Sequence, residues 1–470
     1  MGPASWLGPQ APPPPKTVER SSSSFFLDSR ENRCQESERL SIGSCAAGFG
    51  TRRLIVGNAV GGQAGKASTE LVRQANSSLV LSQLRKLGRL AHTEISAATG
   101  LSSATVSAIT ADLEAHGVIE RVEQQAAGGR GRPRVLFGQR RGCGHVIAVI
   151  ISSDVIEYSL VDYGGTLIDR FSEPRGRADP APFVAELKAA LDRLIRRSSI
   201  ARDGVLCISI SSKGLVDAMR PILVWSPILG SQPIDFAEAL GDWEGTRVLL
   251  SNETLLVAGA LCELEDRKDD DGRTSLAALS LGHSVGLGVA QRSDGGRWAI
   301  SAPNFGHMLH VPNGALCRCG ALGCVEAYAG FYAILRNAFD VPLNTIPAKF
   351  VPFGEIEKIA GQARQGGHRA QHAFRQAGIA IGNGLSRLLS LHGHMPMVLT
   401  GPGAQHFDLL RAGVEEGLRQ SQVIRLLGMP DISVMPDERS LVFTGHLSLA
   451  FSVADRDIIQ SRPAIQAAGE

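Results

Sequence analysis

Three of the chain's eight cysteines, Cys317, Cys319 and Cys324, fall within eight residues, and His307 stands ten positions before the first. Written out, the run is His307-x9-Cys317-x-Cys319-Gly320-x2-Gly323-Cys324-x-Glu326. Three thiolates and one imidazole complete a tetrahedral zinc shell with no open position, which is the coordination of a structural and not a catalytic ion. Gly320 and Gly323 allow the tight backbone needed to aim closely spaced sulfurs at one centre. The alternative is a group of ordinary buried cysteines beside a surface histidine, and the density of the spacing argues against it. That plainer reading suits Cys143, Cys207 and Cys262, each in or beside an apolar segment. A disulfide framework would spread pairs across a short secreted chain, whereas clustering in a long one points to metal.

A second chemical signal lies near residue 130. Gly128-Gly129-Arg130-Gly131-Arg132-Pro133-Arg134 combines glycines that permit close backbone approach, a proline that stiffens an extended path, and arginines suited to a narrow minor groove. Between residues 76 and 141 there are nine basic side chains against five acidic ones, although the whole chain carries a formal charge of only +2. Contact with nucleic acid must therefore rest on this local surplus. A solvated loop serving protein contact alone is the competing reading.

The elements around that loop predict how it is presented. Asn76 to Leu87 carries Leu79, Val80, Leu84 and Leu87 at helical spacing. A short helix follows over Thr93 to Thr99, with Ile95 and Ala98 inward, and Gly100 makes a tight turn. Ser102 or Ser103 caps a third helix whose buried stripe is Val106, Ile109, Thr110 and Leu113. Gly117 stops it, and strands around Val118–Arg121 and Arg134–Phe137 flank the glycine-rich turn. Three helices and a hairpin make a winged helix-turn-helix, and the third helix would present Ser103, Ala104, Thr105 and Ser107 to base edges. Thr93 would contact a phosphate.

From residue 144 onward strands and helices alternate. Strands are expected over 145–151, 155–162, 166–171, 205–210, 247–250, 275–281, 285–291 and 397–399, with helices over 183–196, 255–264 and 368–392. Alternation of this length implies an α/β architecture in two lobes. The chain has 470 residues, 43% apolar and 20% charged, enough to bury several cores and unlike a disordered or fibrous protein. No stretch approaches the ~20 apolar residues of a membrane-spanning helix, and the start lacks the basic and apolar regions of a secretory signal, so a soluble cytoplasmic protein is expected. The proline run 12–15 and serine run 21–24 open a stretch without periodicity. The expected division is a disordered extension over 1–72 (or a stretch seldom made, if translation starts downstream), a winged helix-turn-helix over 73–140, a two-lobed domain over 141–455, and a tail over 456–470.

The cysteine segment resembles the signature of the ROK family of repressors, open reading frames and sugar kinases, and the winged head is similar to that of the family's transcriptional regulators. The resemblance covers about residues 76–450. It implies an α/β actin-like, RNase H-like, two-lobed ATPase-type fold preceded by an N-terminal winged helix-turn-helix. It also implies a sugar cleft between the lobes, a double-stranded DNA operator, a homodimer or homotetramer, and a sugar effector. Family kinases use an Asn-Asp pair on the sugar, which here reads Asn252-Glu253. Their Glu-x-Gly-His reads Asn304-Phe305-Gly306-His307, so a charge-assisted bond is lost at Asn304. Glu326 matches the sugar-contacting Glu. A usual Pro-Gly reads Lys213-Gly214. Lys213 either faces an anionic ligand or, as extra lysines more often do, lies solvated on the surface.

A family kinase also needs an Asp-x-Gly-Gly-Thr phosphate turn. Ile150 stands at the Asp, and Ser152 and Ser153 replace both glycines. The second loop reads Gly282-His283-Ser284-Val285-Gly286 and the third Thr400-Gly401-Pro402-Gly403. Without the metal handle and the phosphate cradle, phosphoryl transfer from ATP is not expected. The expected function is a transcriptional regulator, a repressor of carbohydrate genes. A sugar kinase, a ligand-independent repressor and a docking scaffold remain the alternatives.

Overall fold

The computed structural model describes residues 69–124, 134–176, 179–266, 273–293, 296–348 and 350–461. The head comprises α1 (Thr69–Leu87), α2 (His92–Thr99), α3 (Ser103–Ala115), β1 (Ile119–Gln124) and β2 (Arg134–Gln139). Gly100, at φ +69°, turns the chain between α2 and α3, where a residue with a Cβ would be strained. The Ser102 side chain then caps α3 by accepting from the Thr105 N–H. The strands pair antiparallel from Ile119 opposite Gln139 to Gln124 opposite Arg134. The expected stripe on α3 is buried as a unit.

Three expectations about the head need correction. The first helix begins at Thr69, so residues 69–72 are helical and not part of a disordered extension; residues 1–68 lie outside the described residues. Leu79 and Leu87 are exposed, and Leu81 joins Val80 and Leu84 in the core instead. Ala98 is exposed, because an eight-residue helix turns only one side inward, and Ile95 fills it.

The first lobe contains β3 (His145–Ile151), β4 (Val155–Asp162), β5 (Leu167–Pro174), α4 (Pro180–Arg197), β6 (Val205–Ser212), β7 (Leu215–Val216), β8 (Ile222–Trp225), β9 (Ile234–Asp235), α5 (Phe236–Ala239), β10 (Arg247–Asn252) and α6 (Glu253–Asp266). The second contains β11 (Ser275–Leu281), β12 (Val285–Arg292), β13 (Trp298–Ser301), α7 (Glu326–Ala329), α8 (Phe331–Ala338), α9 (Phe353–Arg364), α10 (His368–His392), β14 (Met397–Thr400), α11 (Phe407–Leu418), α12 (Gln422–Leu427) and β15 (Ile432–Met435). Last comes α13 (Glu438–Gln460).

The two main sheets repeat one plan. Their orders are β10-β6-β3-β4-β5 and β13-β12-β11-β14-β15. In each, three consecutive strands form an antiparallel meander whose first strand also pairs parallel with a later one, and a second parallel strand extends the sheet. β3 is buried along nearly its whole length, as a central strand covered on both faces must be. This duplicated α/β plan is the actin-like fold. Among the described residues, no helix is long and apolar enough to cross a membrane.

Helix α13 ties the parts together. Midway, the fully buried His446 ring bonds the Ser209 hydroxyl at 2.8 Å and the Ser211 hydroxyl at 2.9 Å, both on β6. Burial lowers its pKa to about 3, so the ring is neutral. Further on, Asp455 meets the head. Arg85 of α1 donates to Asp455 Oδ1 at 2.8 Å and to the Tyr163 carbonyl at 2.8 Å, with its guanidinium 4.0 Å from the Phe451 ring centroid. The Tyr163 hydroxyl donates to the same Asp455 oxygen at 2.5 Å. Apolar residues of the head, the ends of β3, β4 and β6, and α13 form one continuous cluster. The sequence expectation of a tail beginning at residue 456 is therefore also corrected: α13 runs to Gln460, Ile459 is buried, and Asp457 forms a bidentate pair with Arg247.

Replacing Arg85 with Ala would leave Asp455 buried without its cation. Removing one partner of such a pair costs about 3 kcal/mol or more. Amide exchange of residues 69–139 should quicken in that variant while exchange in β3 and β6 holds; equal protection of the head would refute the clasp.

Candidate functional site

The expected ligand set converges. His307, Cys317, Cys319 and Cys324 bring one ligand atom each within 4.8 Å of one another. His307 Nδ1 lies 3.5 Å from Cys317 Sγ, and Cys319 Sγ lies 3.7 Å from Cys324 Sγ. Those are the edges of a tetrahedron whose centre is about 2.0–2.3 Å from each nitrogen or sulfur. The cluster can hold a metal ion. The turn is tied by Cys317 N–H to the Ala321 carbonyl and Gly320 N–H to the Cys317 carbonyl. At Gly323, with φ +84°, a Cβ would fall 1.7 Å from the Val311 carbonyl oxygen, so no other residue fits. Burial pushes the Cys317 thiol up to about 11, and burial with the neighbouring thiols pushes Cys324 up as well. A cation at the centre would offset that penalty.

One wall of this cluster faces a cleft of about 380 Å³ between the lobes. Asn252, Glu253, Asn304, His307 and Glu326 all line it, so the five expected sugar-site residues share one cavity. Their chemical states differ. Asn252 is internally engaged: its Nδ2 donates to the Gly214 carbonyl at 2.8 Å, and its Oδ1 accepts from the Thr254 N–H and hydroxyl. Glu326 is 1% exposed, accepts from the Val285 N–H at 3.1 Å, and is gripped by Arg318 through Nε at 3.2 Å and Nη2 at 3.0 Å. Arg318 also donates to the His283 carbonyl and the Ser284 hydroxyl, binding the cysteine turn to the loop after β11. Asn304 is exposed, and the His307 ring meets Trp225 edge-on at 5.4 Å.

Lys213 overturns the expectation of a solvated surface residue. It lines the cleft with its side chain 18% exposed, and its Nζ stands 3.5 Å from Glu253 Oε2. Burial raises the Glu253 pKa to about 7, opposed by Lys213 and assisted by Glu438. The Lys213 pKa is raised in spite of burial, because Glu253 and Glu438 hold its charge. The roles of Lys213, Arg318 and Trp225 were hidden in the sequence: only Lys213 stood out there, through the Pro-Gly it interrupts.

Comparison with known proteins agrees with this geometry. Residues 146–438 match the ROK family, and residues 77–123 match the IclR helix-turn-helix domain. The chain belongs to the ROK family. It is 24% identical over 357 residues to the DNA-binding transcriptional repressor Mlc of Escherichia coli, covering 74% of this chain and 86% of Mlc. It is 24% identical over 392 residues to the xylose repressor of Caldicellulosiruptor bescii, covering 81% and 96%. A crystal structure of a ROK family transcriptional regulator, described as a homologue of the E. coli Mlc protein, superposes with a TM-score of 0.65 at 18% identity, over 83% of this chain and 99% of that one. The likeness supports the two-lobed fold with its preceding head.

The positions expected for the phosphate loops carry the following side chains. Ile150 is buried at the position of the missing Asp. In the second loop, His283 is stacked on Phe350 at 4.8 Å and bonds the Val351 carbonyl at 2.7 Å. A carboxylate oxygen of Glu438 sits 3.2 Å from where a side chain on Gly401 would begin, setting negative charge beside the third loop. Such a charge opposes a polyphosphate.

On the head, Thr93, Ser103, Ala104 and Ser107 are exposed, while Thr105 is half-buried with its hydroxyl 2.8 Å from Ser102 Oγ. Arg130 and Arg132 lie outside the described residues. Arg134, at the base of the wing, pairs with Glu94 at 2.5 Å, and Glu94 itself accepts from the Ala91 N–H to cap α2. Arg121, on the neighbouring strand β1, pairs with Glu114 at 3.1 Å.

Glu253 gives a pH signature. Its folded pKa is about 7 and its ordinary value 4.5, so between those limits the folded chain keeps a proton that the unfolded chain has lost. The stability from this group is complete below about pH 4.5 and is lost as the pH rises through 7, at up to ~1.4 kcal/mol per unit. In Glu253→Gln that slope should vanish from urea unfolding measured between pH 5 and 8, whatever constant offset an unpaired Lys213 adds. An unaltered slope would contradict the assignment.

Proposed function

We propose that this ROK protein is a sugar-responsive transcriptional repressor. Its winged head reads a double-stranded operator, its cleft takes a sugar or sugar derivative, and it transfers no phosphoryl group. It acts as a homodimer or homotetramer, since helix-turn-helix proteins commonly read paired half-sites. The observation that carries this reading is the combination of a cleft whose expected second phosphate loop holds a stacked His283 with a DNA-reading head packed on the same hydrophobic cluster. The names of its relatives, the repressor Mlc and the xylose repressors, support it. The exposed start of α3 is the element that would enter the major groove, with Ser103, Ala104 and Ser107 toward the bases, Thr105 shaping the cap, and Thr93 at a phosphate. Arg130, Arg132 and Arg134 would follow the minor groove.

The cation in the His307–Cys317–Cys319–Cys324 cluster is zinc in this reading, since three thiolates and an imidazole in a closed tetrahedron suit it. When bound, it supplies charge neutralisation and a cross-link for the cysteine turn. The chain's own residues then present Glu326 and His307 along the cleft.

A footprint of the full chain on its own promoter, with and without candidate sugars, tests the central claim. Protection that a sugar changes is expected; no protection, with sugar phosphate formed from millimolar ATP, would overturn it. Changing Arg130 and Arg132 to Ala should weaken binding to every DNA sequence alike and flatten the log–log salt slope by about 0.9 for each phosphate no longer neutralised. An unchanged slope would remove these arginines from the interface. Elemental analysis should find one zinc per chain, and Cys324→Ser should lose it with a clear drop in melting temperature. A full complement of zinc in that variant would rule out the fourth-ligand role.

A further inference from the structure

Most polar groups along the cleft are already satisfied. Asn252 is spent on Gly214 and Thr254, and Glu326 on Arg318 and Val285. Two groups are not. Glu253 Oε1 is buried and has no hydrogen-bond partner among the described residues, in a side chain only 5% exposed. Among the described residues, the Lys213 ammonium, with three donors, approaches one acceptor, Glu253 Oε2 at 3.5 Å, and feels the charge of Glu438. A buried acceptor left bare costs about 1–3 kcal/mol, so an arrangement that persists with one is a place where a ligand restores the missing bond. Beside the pair, Leu215, Trp225 and Pro227 make an apolar wall.

We propose that Lys213 is the specificity-determining residue of this cleft, forming with Glu253 a donor–acceptor pair that reads one hydroxyl of an uncharged sugar laid against Trp225. The proposal rests on the reading that the cleft takes a carbohydrate, and narrows it. A hydroxyl can donate to Glu253 Oε1 and accept from Lys213 at once. A carboxylate or phosphate accepts only, leaves Oε1 bare, and meets the fields of both Glu253 and Glu438. An ammonium donates only, and abuts Lys213. The pair therefore selects by what each substituent can both give and receive, and the sugar acid that an isolated lysine would have suggested is excluded by the two carboxylates around it. The C–H face of a sugar ring suits the half-buried indole.

Calorimetry on the full chain tests this with six probes: D-glucose, D-xylose, N-acetyl-D-glucosamine, D-glucosamine, D-glucuronate and glucose 6-phosphate. At least one of the three uncharged sugars should bind about tenfold more tightly than every charged one. Lys213→Met should weaken that sugar roughly tenfold or more without improving glucuronate, since the carboxylates of Glu253 and Glu438 both remain. Lys213→Arg, which keeps the charge, should retain the preference, and matched melting temperatures certify that the variants fold. Tighter binding of glucuronate, glucose 6-phosphate or glucosamine by the wild type would overturn the pair's role while leaving a carbohydrate cleft in place. Unchanged affinity for that uncharged sugar in Lys213→Met would do the same. No binding of any probe at millimolar concentration would overturn both the proposal and the reading beneath it.

Discussion

One buried guanidinium governs how the DNA-reading head and the cleft domain behave as a unit. Arg85 leaves α1 and is received by Asp455, the Tyr163 carbonyl and the Phe451 ring, while Tyr163 turns its hydroxyl onto the same Asp455. Burial pushes the Asp455 pKa up, and Arg85 and Tyr163 oppose that shift, so the carboxyl depends on its neighbours to remain charged. Apolar packing continues across the junction through Val80, Leu84, Val146, Tyr163 and Phe451. A head on a loose linker would show none of this. Position and orientation of α3 are consequently set by the first lobe and α13, and the groove-reading surface inherits whatever geometry those elements hold.

The cleft concentrates its charged contacts on the loops and helix starts that follow the strands. Both sheets keep the family fold. What differs is local charge and volume. Arg318 takes up Glu326, Lys213 stands against Glu253, and Glu438 occupies the neighbourhood of Gly401. His283, in the loop after β11, stacks on Phe350. These contacts sit on loops and helix starts beside the cleft, while β3, β6 and β11 are buried almost without exception. Stability resides in the strands and chemistry in the loops after them, so the second could change while the first was retained.

Much of this was legible in the sequence, for reasons that differ by element. The α3 stripe and the Ser102 cap were readable because helical period and capping chemistry are local. The metal cluster was readable because three thiols and an imidazole, all metal-ligating types, crowd a short span. Lys213 was not, since a lone lysine carries no record of Glu253 forty residues on or of Glu438 beyond it. The small sheet of β7, β8 and β9, which brings Trp225 to the cleft, escaped because strands of two to four residues have too few positions to show a period of two. Arg318 escaped because the cysteines around it dominate the motif. The start of α1 and the end of α13 were misplaced because tertiary contacts, Arg73 to Asp112 and Arg247 to Asp457, hold helix ends that look plain in isolation.

Helix α13 makes the connection between the two halves physical. Its first residue, Glu438, reaches the charge cluster of Lys213 and Glu253; His446 pins its middle to β6, the strand that leads into Lys213; Asp455 near its end holds Arg85. Gly445 lies so close to α6 that a Cβ there would meet the Leu256 carbonyl at 2.2 Å, so the helix is seated against the element that begins with Glu253. A side chain at Gly445 could enter only by displacing α13 bodily. Interiors packed this closely transmit displacement and do not absorb it. A sugar that alters the Lys213–Glu253 pair therefore acts on one end of a rigid rod whose other end grips the head. By linkage, any factor by which that sugar changes affinity for the operator is the same factor by which the operator changes affinity for the sugar.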